Sequence, residues 1–239
     1  DAPAAGLAEL SDAPLTLRKA RDVVNRLLQR LRRAEDAHNT WHNRQLSLWE
    51  REPCDRMPEN AAAPFGLVGD SPAMNELREH IARAAPSNAD ILVIGETGTG
   101  KELVSRAIHE ASPRRNAPFI TINCGALDEN LLMDTLFGHV KGAFTEARQP
   151  RKGAFLAAEG GTLMLDEVGN ASPKVQQALL RALSTRAMRP LGSDEEVPFN
   201  TRIIAATNAL LPKDENFRED LFYRLAVITI QTPPLRDRR

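Results

Sequence analysis

Gly95-Glu96-Thr97-Gly98-Thr99-Gly100-Lys101 is the stretch that decides the fold. It has the form G-x-x-x-x-G-K. Glycines let successive backbone N–H groups turn inward around phosphate oxygens, and a helix that follows adds the positive end of its dipole. Lys101 is then placed to reach the β- and γ-phosphates of a nucleotide. The spacing alone is only suggestive, because two glycines and a lysine recur by chance. The surroundings make it specific. The apolar run Ile91-Leu92-Val93-Ile94 leads straight into it, and a helical segment leaves it. Position 102, where a Ser or Thr hydroxyl is expected on Mg²⁺, is Glu102.

Downstream, strand-like and helix-like segments alternate. Strands are expected at Phe119–Ile122, Thr162–Leu165, Ile203–Ala206 and Val227–Ile230, and helices at Glu102–Ala111, Leu127–Leu136, Pro173–Ser184 and Phe217–Leu225. Upstream, Asp70 or Ser71 caps a helix with Pro72 in its first turn and Met74, Leu77 and Ile81 on its buried stripe. This alternation predicts an α/β fold, a parallel sheet with helices on both faces. The strand Thr162–Leu165 runs into two adjacent acids, Asp166 and Glu167. At the carboxyl end of a strand Asp166 can hold Mg²⁺, directly or through water, and Glu167 can polarise an attacking water. Alone, this pattern is equally a solvated acidic turn. A phosphate loop upstream favours the chemical reading.

The chain has 239 residues with 42% hydrophobic and 26% charged, an ordinary globular composition. A net charge of -1 gives no overall basic field, so any DNA contact is expected in a domain outside this sequence. Two cysteines, Cys54 and Cys124, suggest no disulfide framework, and no apolar run or leader suggests a membrane. A cytoplasmic protein is expected. The five histidines show no ligand spacing with the cysteines, so no zinc is expected. Residues 1–63 differ from the rest. From Leu15 to Glu50 there is neither Pro nor Gly, and Leu17, Ala20, Val24, Leu27, Leu31 and Ala34 follow a heptad seam. That pattern fits an amphipathic helix packed on its own domain or a parallel dimer helix. The narrow stripe and Arg-rich flanks favour the dimer. Pro53, Pro58 and Pro64 then mark a linker, and residues 64–239 form the second region.

From Phe65 to Arg239 the sequence resembles the AAA+ ATPase domain of bacterial enhancer-binding proteins, activators of RNA polymerase carrying sigma-54, of the response-regulator type. The resemblance rests on motifs in order: Gly95–Glu102, Ile122-Asn123-Cys124, Leu136-Phe137-Gly138-His139, Gly142-Ala143-Phe144-Thr145, Gly160–Glu167, Arg202–Asn208, Phe217–Leu225 and Pro233-Pro234-Leu235-Arg236. It implies ATP and Mg²⁺ as ligands, with Leu67 and Val68 joining the nucleotide site. It implies that Asn123 restrains Glu167, that Asn208 senses the γ-phosphate, and that Arg218 and Arg224 are arginine fingers reaching a neighbouring subunit's nucleotide. The implied partners are sigma-54 RNA polymerase holoenzyme and further copies of the chain, as a dimer through the linker and a hexamer or heptamer ring. Gly142-Ala143-Phe144-Thr145-Glu146-Ala147 resembles the sigma-contacting loop, with Phe144 at its tip.

The sequence departs from the family at several places. Glu146 stands where the loop carries glycine, adding bulk and a negative charge. Thr135, Val140 and Leu156 replace acids, and Asn170 replaces Asp. Two further readings therefore stay open: an AAA+ regulator acting on another client, and a module in which ATP mainly controls assembly. A lid and a DNA-binding domain are expected in a longer protein.

Overall fold

The computed structural model describes residues 66–145, 147–208 and 216–238. The expected dimer helix, the Pro-marked linker and Glu146 lie outside these residues.

Five strands form one parallel sheet: β1 (Ile91–Ile94), β2 (Phe119–Asn123), β5 (Thr162–Asp166), β8 (Arg202–Thr207) and β9 (Ile228–Gln231), in the order β2-β5-β8-β1-β9. Two small antiparallel pairs stand beside it, β3 (Gly138–His139) with β4 (Arg151–Lys152) and β6 (Ala187–Met188) with β7 (Val197–Pro198). The helices are α1 (Pro72–Ala84), α2 (Lys101–Glu110), α3 (Glu129–Phe137), the short α4 (Ala154–Ala157), α5 (Pro173–Thr185) and α6 (Glu219–Leu225). Among the described residues no helix is long and apolar enough to cross a membrane.

Both faces of the sheet are covered, as the continuous apolar runs require. Leu92, Leu163, Leu165, Ile203 and Ala205 join one core with Leu132 and Leu136 of α3, Phe155 of α4, Leu179 and Leu183 of α5, and Leu221 of α6. The alternate residues Ile91, Val93, Met164, Ile204 and Ala206 are also buried and point to the opposite face. There α1 brings Met74, Leu77 and Ile81, and α2 brings Val104, Ala107 and Ile108. Each fully buried Leu or Ile stabilises the fold by about 2 kcal/mol of apolar burial.

Local chemistry sets the helix starts. Ser71 precedes Pro72 at α1, and Ser172 precedes Pro173 at α5; proline needs no amide partner in a first turn. The Ser172 hydroxyl also accepts from the Val175 amide at 3.4 Å. Asp128 caps α3 by accepting from the amides of Asn130 and Leu131, each at 3.1 Å. Gly100, at φ +82°, opens α2 directly out of the phosphate loop.

Buried charge ties the amino ends of the strands to α1. Arg202 donates to the carbonyls of Ala84, Ala85 and Ala89 at 2.9, 2.9 and 3.1 Å, just past the carboxyl end of α1, where a cation is favoured. Burial, then Arg114 nearby, lowers the Arg202 guanidinium to about 10, still cationic at neutral pH. Asp90, 1% exposed, accepts from Arg186 at 2.6 Å and from the Ile203 amide at 3.2 Å.

Candidate functional site

Loops leaving the carboxyl ends of parallel strands line one crevice. Here that edge collects the phosphate loop after β1, Asn123 at the end of β2, Asp166 and Glu167 after β5, and Asn208 after β8. Strand register sets Asn123 beside Asp166 and Ile94 beside Thr207.

The loop geometry follows from its glycines. Gly98 and Gly100 take φ of +79° and +82°, a region strained for residues with a Cβ. Gly95 is glycine for space: a Cβ there would stand 1.7 Å from the Thr232 hydroxyl. Thr99, 2% exposed, closes the turn by donating to the Glu96 carbonyl at 2.8 Å, and its hydroxyl meets that of Thr232, also at 2.8 Å. Lys101 folds back to the carbonyls of Gly95 and Glu96, both at 3.0 Å, so its ammonium sits over the loop's interior. A glycine cradle, a cation and a helix N-terminus together fit a polyphosphate. Glu102 is turned outward, its carboxylate 3.8 Å from Arg106. Leu67 is buried and Val68 is 82% exposed. Arg78 holds this segment by donating to the Leu67 carbonyl at 2.9 Å and to the Gly69 carbonyl.

Asp166 accepts the Glu167 amide on one oxygen at 2.9 Å. Among the described residues its other oxygen accepts no hydrogen bond, which leaves it for a cation. No cluster of three His, Cys, Asp or Glu stands ready for a metal among these residues. Asp166 offers one carboxylate oxygen, and Mg²⁺ needs one or two carboxylates, taking its other ligands from phosphate and water. Glu167 takes a left-handed backbone, φ +51°, at a cost of about 1 kcal/mol for a residue with a Cβ. Its carboxylate receives the Asn170 side-chain amide at 3.3 Å and lies over Gly125. Asn123 does not reach it. The Asn123 side-chain Oδ1 accepts the amides of Gly125 and Ala126 at 2.8 and 2.9 Å, fixing its own turn. Asn208 donates to the Thr97 hydroxyl at 3.2 Å, so the end of β8 touches the phosphate loop. Cys124 is buried between these elements, and burial followed by the charges of Asp166 and Glu167 pushes its thiol up to about 12.

Residues 232–238 lie against the loop from the other side. Arg236 meets the Glu96 carboxylate at 2.9 Å, and Arg238 donates to the Thr99 carbonyl. The sequence pattern identifies Pro233–Arg236 as leading away from the domain; that its arginines grip the phosphate loop needed three-dimensional proximity across some 140 positions.

Arg218 stands at the N-cap of α6 and Arg224 in its last turn, and among the described residues neither makes a hydrogen bond to the chain's own phosphate loop. Arg218 binds Asp220 with two donors, at 3.0 and 2.8 Å, which holds the guanidinium above its ordinary range and the carboxyl below its own. Arg224 donates twice to the Leu183 carbonyl, at 3.0 and 2.6 Å. Arg218 also lines a groove of about 510 Å³ with Met133 and Phe137 of α3, Lys174 and Arg181 of α5, and Arg189.

The loop expected to meet a partner projects between β3 and β4. Gly142 turns it at φ +84°, and its amide donates to the Ala147 carbonyl at 2.8 Å. Phe144 is 45% exposed and packs edge-on against the His139 ring, 4.8 Å between centroids. The β6–β7 hairpin reaches this loop: Val140 donates to Leu191 at 3.1 Å and Leu191 to Gly138 at 2.9 Å. At Gly192 a Cβ would stand 2.6 Å from that of Ala143. Thr145 and Ala147 flank Glu146, which lies outside the described residues.

Comparison with known proteins finds similarity over most of the chain. The sigma-54 interaction domain profile matches residues 67–231. The transcriptional regulatory protein ZraR of Salmonella typhimurium is 49% identical over 192 residues, covering 79% of this chain and 44% of the relative. The sigma54-dependent transcriptional activator SfnR of Pseudomonas putida is 52% identical over 174 residues, covering 72% of the chain and 48% of the relative. The chain thus spans less than half the length of these curated relatives. The crystal structure of NtrX from Brucella abortus in complex with ATP is similar at TM-score 0.66 and 34% identity, over 95% of this chain and 47% of that one.

Proposed function

The chain belongs to the sigma-54 interaction domain family, a family of AAA+ P-loop NTPase domains, and from that premise we propose that it hydrolyses ATP at the interfaces of a ring and uses the cycle to remodel sigma-54 RNA polymerase at a promoter. One observation carries the reading. The glycine cradle with Lys101, the acids Asp166 and Glu167, and Asn208 all open onto one carboxyl edge of the sheet.

In this reading residues 95–101 wrap the phosphates of ATP, and Lys101 leaves the Gly95 and Glu96 carbonyls to meet them. Leu67 and Val68 lie near the base. Asp166 would hold Mg²⁺, which would supply positive charge to neutralise the phosphates. Glu167 takes the proton of the attacking water. Asn208 reports the γ-phosphate through its contact with Thr97. Arg218 and Arg224 come from the next subunit, each exchanging its present partner for phosphate oxygens, a contact worth about 10³–10⁵ in rate. What supports this trans role is that both arginines touch α5 and α6 and not their own phosphate loop. The loop at 142–147 pushes on the partner through Phe144. Residues 1–63 serve as a helical dimerisation linker, residues 64–239 as the ATPase subdomain, and DNA is bound by a domain beyond this sequence. The protein works in the cytoplasm.

The test is size-exclusion chromatography with light scattering, mixing the chain with sigma-54, ADP and aluminium fluoride. Sigma-54 eluting with a ring-sized species supports the proposal. A ring that leaves sigma-54 behind rejects the sigma-54 part and favours another client.

A further inference from the structure

The side chain of Glu167 points the wrong way for hydrolysis, and the structure offers a reason. Glu167 follows β5. Its carboxylate lies over Gly125, which follows β2, on one side of β5. The phosphate loop follows β1, on the other side of β5 and beyond β8. With strands spaced about 4.8 Å apart, the loop is offset by roughly 10 Å in the opposite direction. A carboxylate that activates water at a γ-phosphate must swing from the β2 side to the β8 side.

Two features hold it back. Asn170 Nδ2 donates to Glu167 Oε2 at 3.3 Å from the short turn that Glu167 itself begins. Gly125 supplies the resting place. Its backbone is outside the left-handed region, so glycine is not needed there for conformation. It is needed for room: a Cβ would stand 2.5 Å from Glu167 Oε2 and 2.9 Å from Asn170 Nδ2. Asn123, the residue expected to restrain Glu167, accepts the amides of Gly125 and Ala126 on its side-chain Oδ1, and among the described residues its Nδ2 makes no hydrogen bond to Glu167.

We infer that Asn170 and Gly125 together form a restraint that holds the Glu167 carboxylate off the nucleotide, making Asn170 a positioning residue for the general base. This rests on the proposed ATP hydrolysis and names a regulatory contact within that site. An Asp at 170, a residue with no side-chain donor at neutral pH, would release the carboxylate, and an alanine at 125 would displace it.

The experiment measures kcat and KM for Mg-ATP in the full chain and in N170A, N170D, G125A and E167Q. Neither Asn170 nor Gly125 contacts the phosphate loop, so nucleotide affinity should hold. Release is expected to raise kcat about three- to tenfold, the range of one ordinary net hydrogen bond, as suits an exposed contact of 3.3 Å, with KM changed less than twofold. N170A combined with G125A should give the increase of either alone, because both remove one restraint. A role in folding alone would not raise kcat. If G125A misfolds, the exposed Asn170 variants decide the matter. E167Q separates the two levels of the argument. Turnover surviving E167Q removes the general base and the inference with it. E167Q inactive while N170A and N170D turn over no faster than the parent chain, including the case where none turns over, overturns the restraint alone.

Discussion

The carboxylate of Asp134 meets the His139 ring at 2.6 Å on one oxygen, and its other oxygen takes Arg151 at 2.7 Å. The opposite ring nitrogen faces the Gln149 carbonyl at 2.8 Å. One acid on α3 thereby braces both strands from which the partner loop projects.

Asp134→Ala should loosen this brace without touching the nucleotide site. ATP turnover is expected to stay within about threefold of the parent, while amide exchange at Gly138, His139, Arg151 and Lys152 accelerates at least tenfold. Hydrogen exchange read by mass spectrometry checks this; unchanged exchange would show that the backbone pairing of β3 with β4 suffices alone.

Arg218→Ala should leave ATP binding within about twofold and lower turnover at least 10³-fold. The trans role gives a sharper check. Mixing Arg218→Ala with Lys101→Ala, both inactive alone, should restore part of the activity, because some interfaces then join an intact loop to an intact arginine. No recovery in a titrated mixture would place the arginine's action within its own subunit.

Replacing Asp90 by alanine removes a buried acceptor from Arg186 and from the Ile203 amide. Leaving a buried amide and half-exposed guanidinium unmatched is expected to cost about 3 kcal/mol. Urea unfolding monitored by circular dichroism gives the number. A loss below about 1 kcal/mol would mean that water replaces the carboxylate.

Cys124 supplies a pH prediction. Its thiol is raised from the ordinary 9.0 to about 12 by burial, with Asp166 and Glu167 adding to it. A folded value above the unfolded one means a contribution to stability fully present below pH 9 and lost as the pH climbs toward 12. The thiol should therefore resist iodoacetamide at pH 8.5 at least 100-fold more in the folded chain than in urea. Equal rates would show that the β2–β5 edge opens readily.

Glu146→Gly tests the loop at its departure from the family. In a sigma-54 activator, restoring glycine should raise sigma-54-dependent transcription severalfold at unchanged ATP turnover. A chain serving another client would show no change in that assay.

The sequence announced the five long strands because each is rich in apolar and β-branched residues, broken only by single threonines in β2 and β9, and their ends fell within a residue or so of those observed, as with Ile91–Ile94 and Phe119–Asn123. Helix starts were legible where chemistry marks them, at Ser71-Pro72 and Ser172-Pro173. The pairs β3–β4 and β6–β7 were not, because two residues are too few to display an alternation. In the site, the phosphate loop and the acids were readable as contiguous motifs. The contacts of Thr232 with Thr99, Arg236 with Glu96 and Asn170 over Gly125 were not, since each depends on which segments the sheet order brings together. Asn170 stood out only as a substitution within a known pattern; the structure adds what its amide touches.

Gly192 at the tip of the β6–β7 hairpin leaves so little space above Ala143 that the two projections mesh like teeth. The hairpin stands in the chain between α5 and β8, the strand that leads to Asn208. One small residue thereby lets two surface excursions share a single seat beside the exposed Phe144.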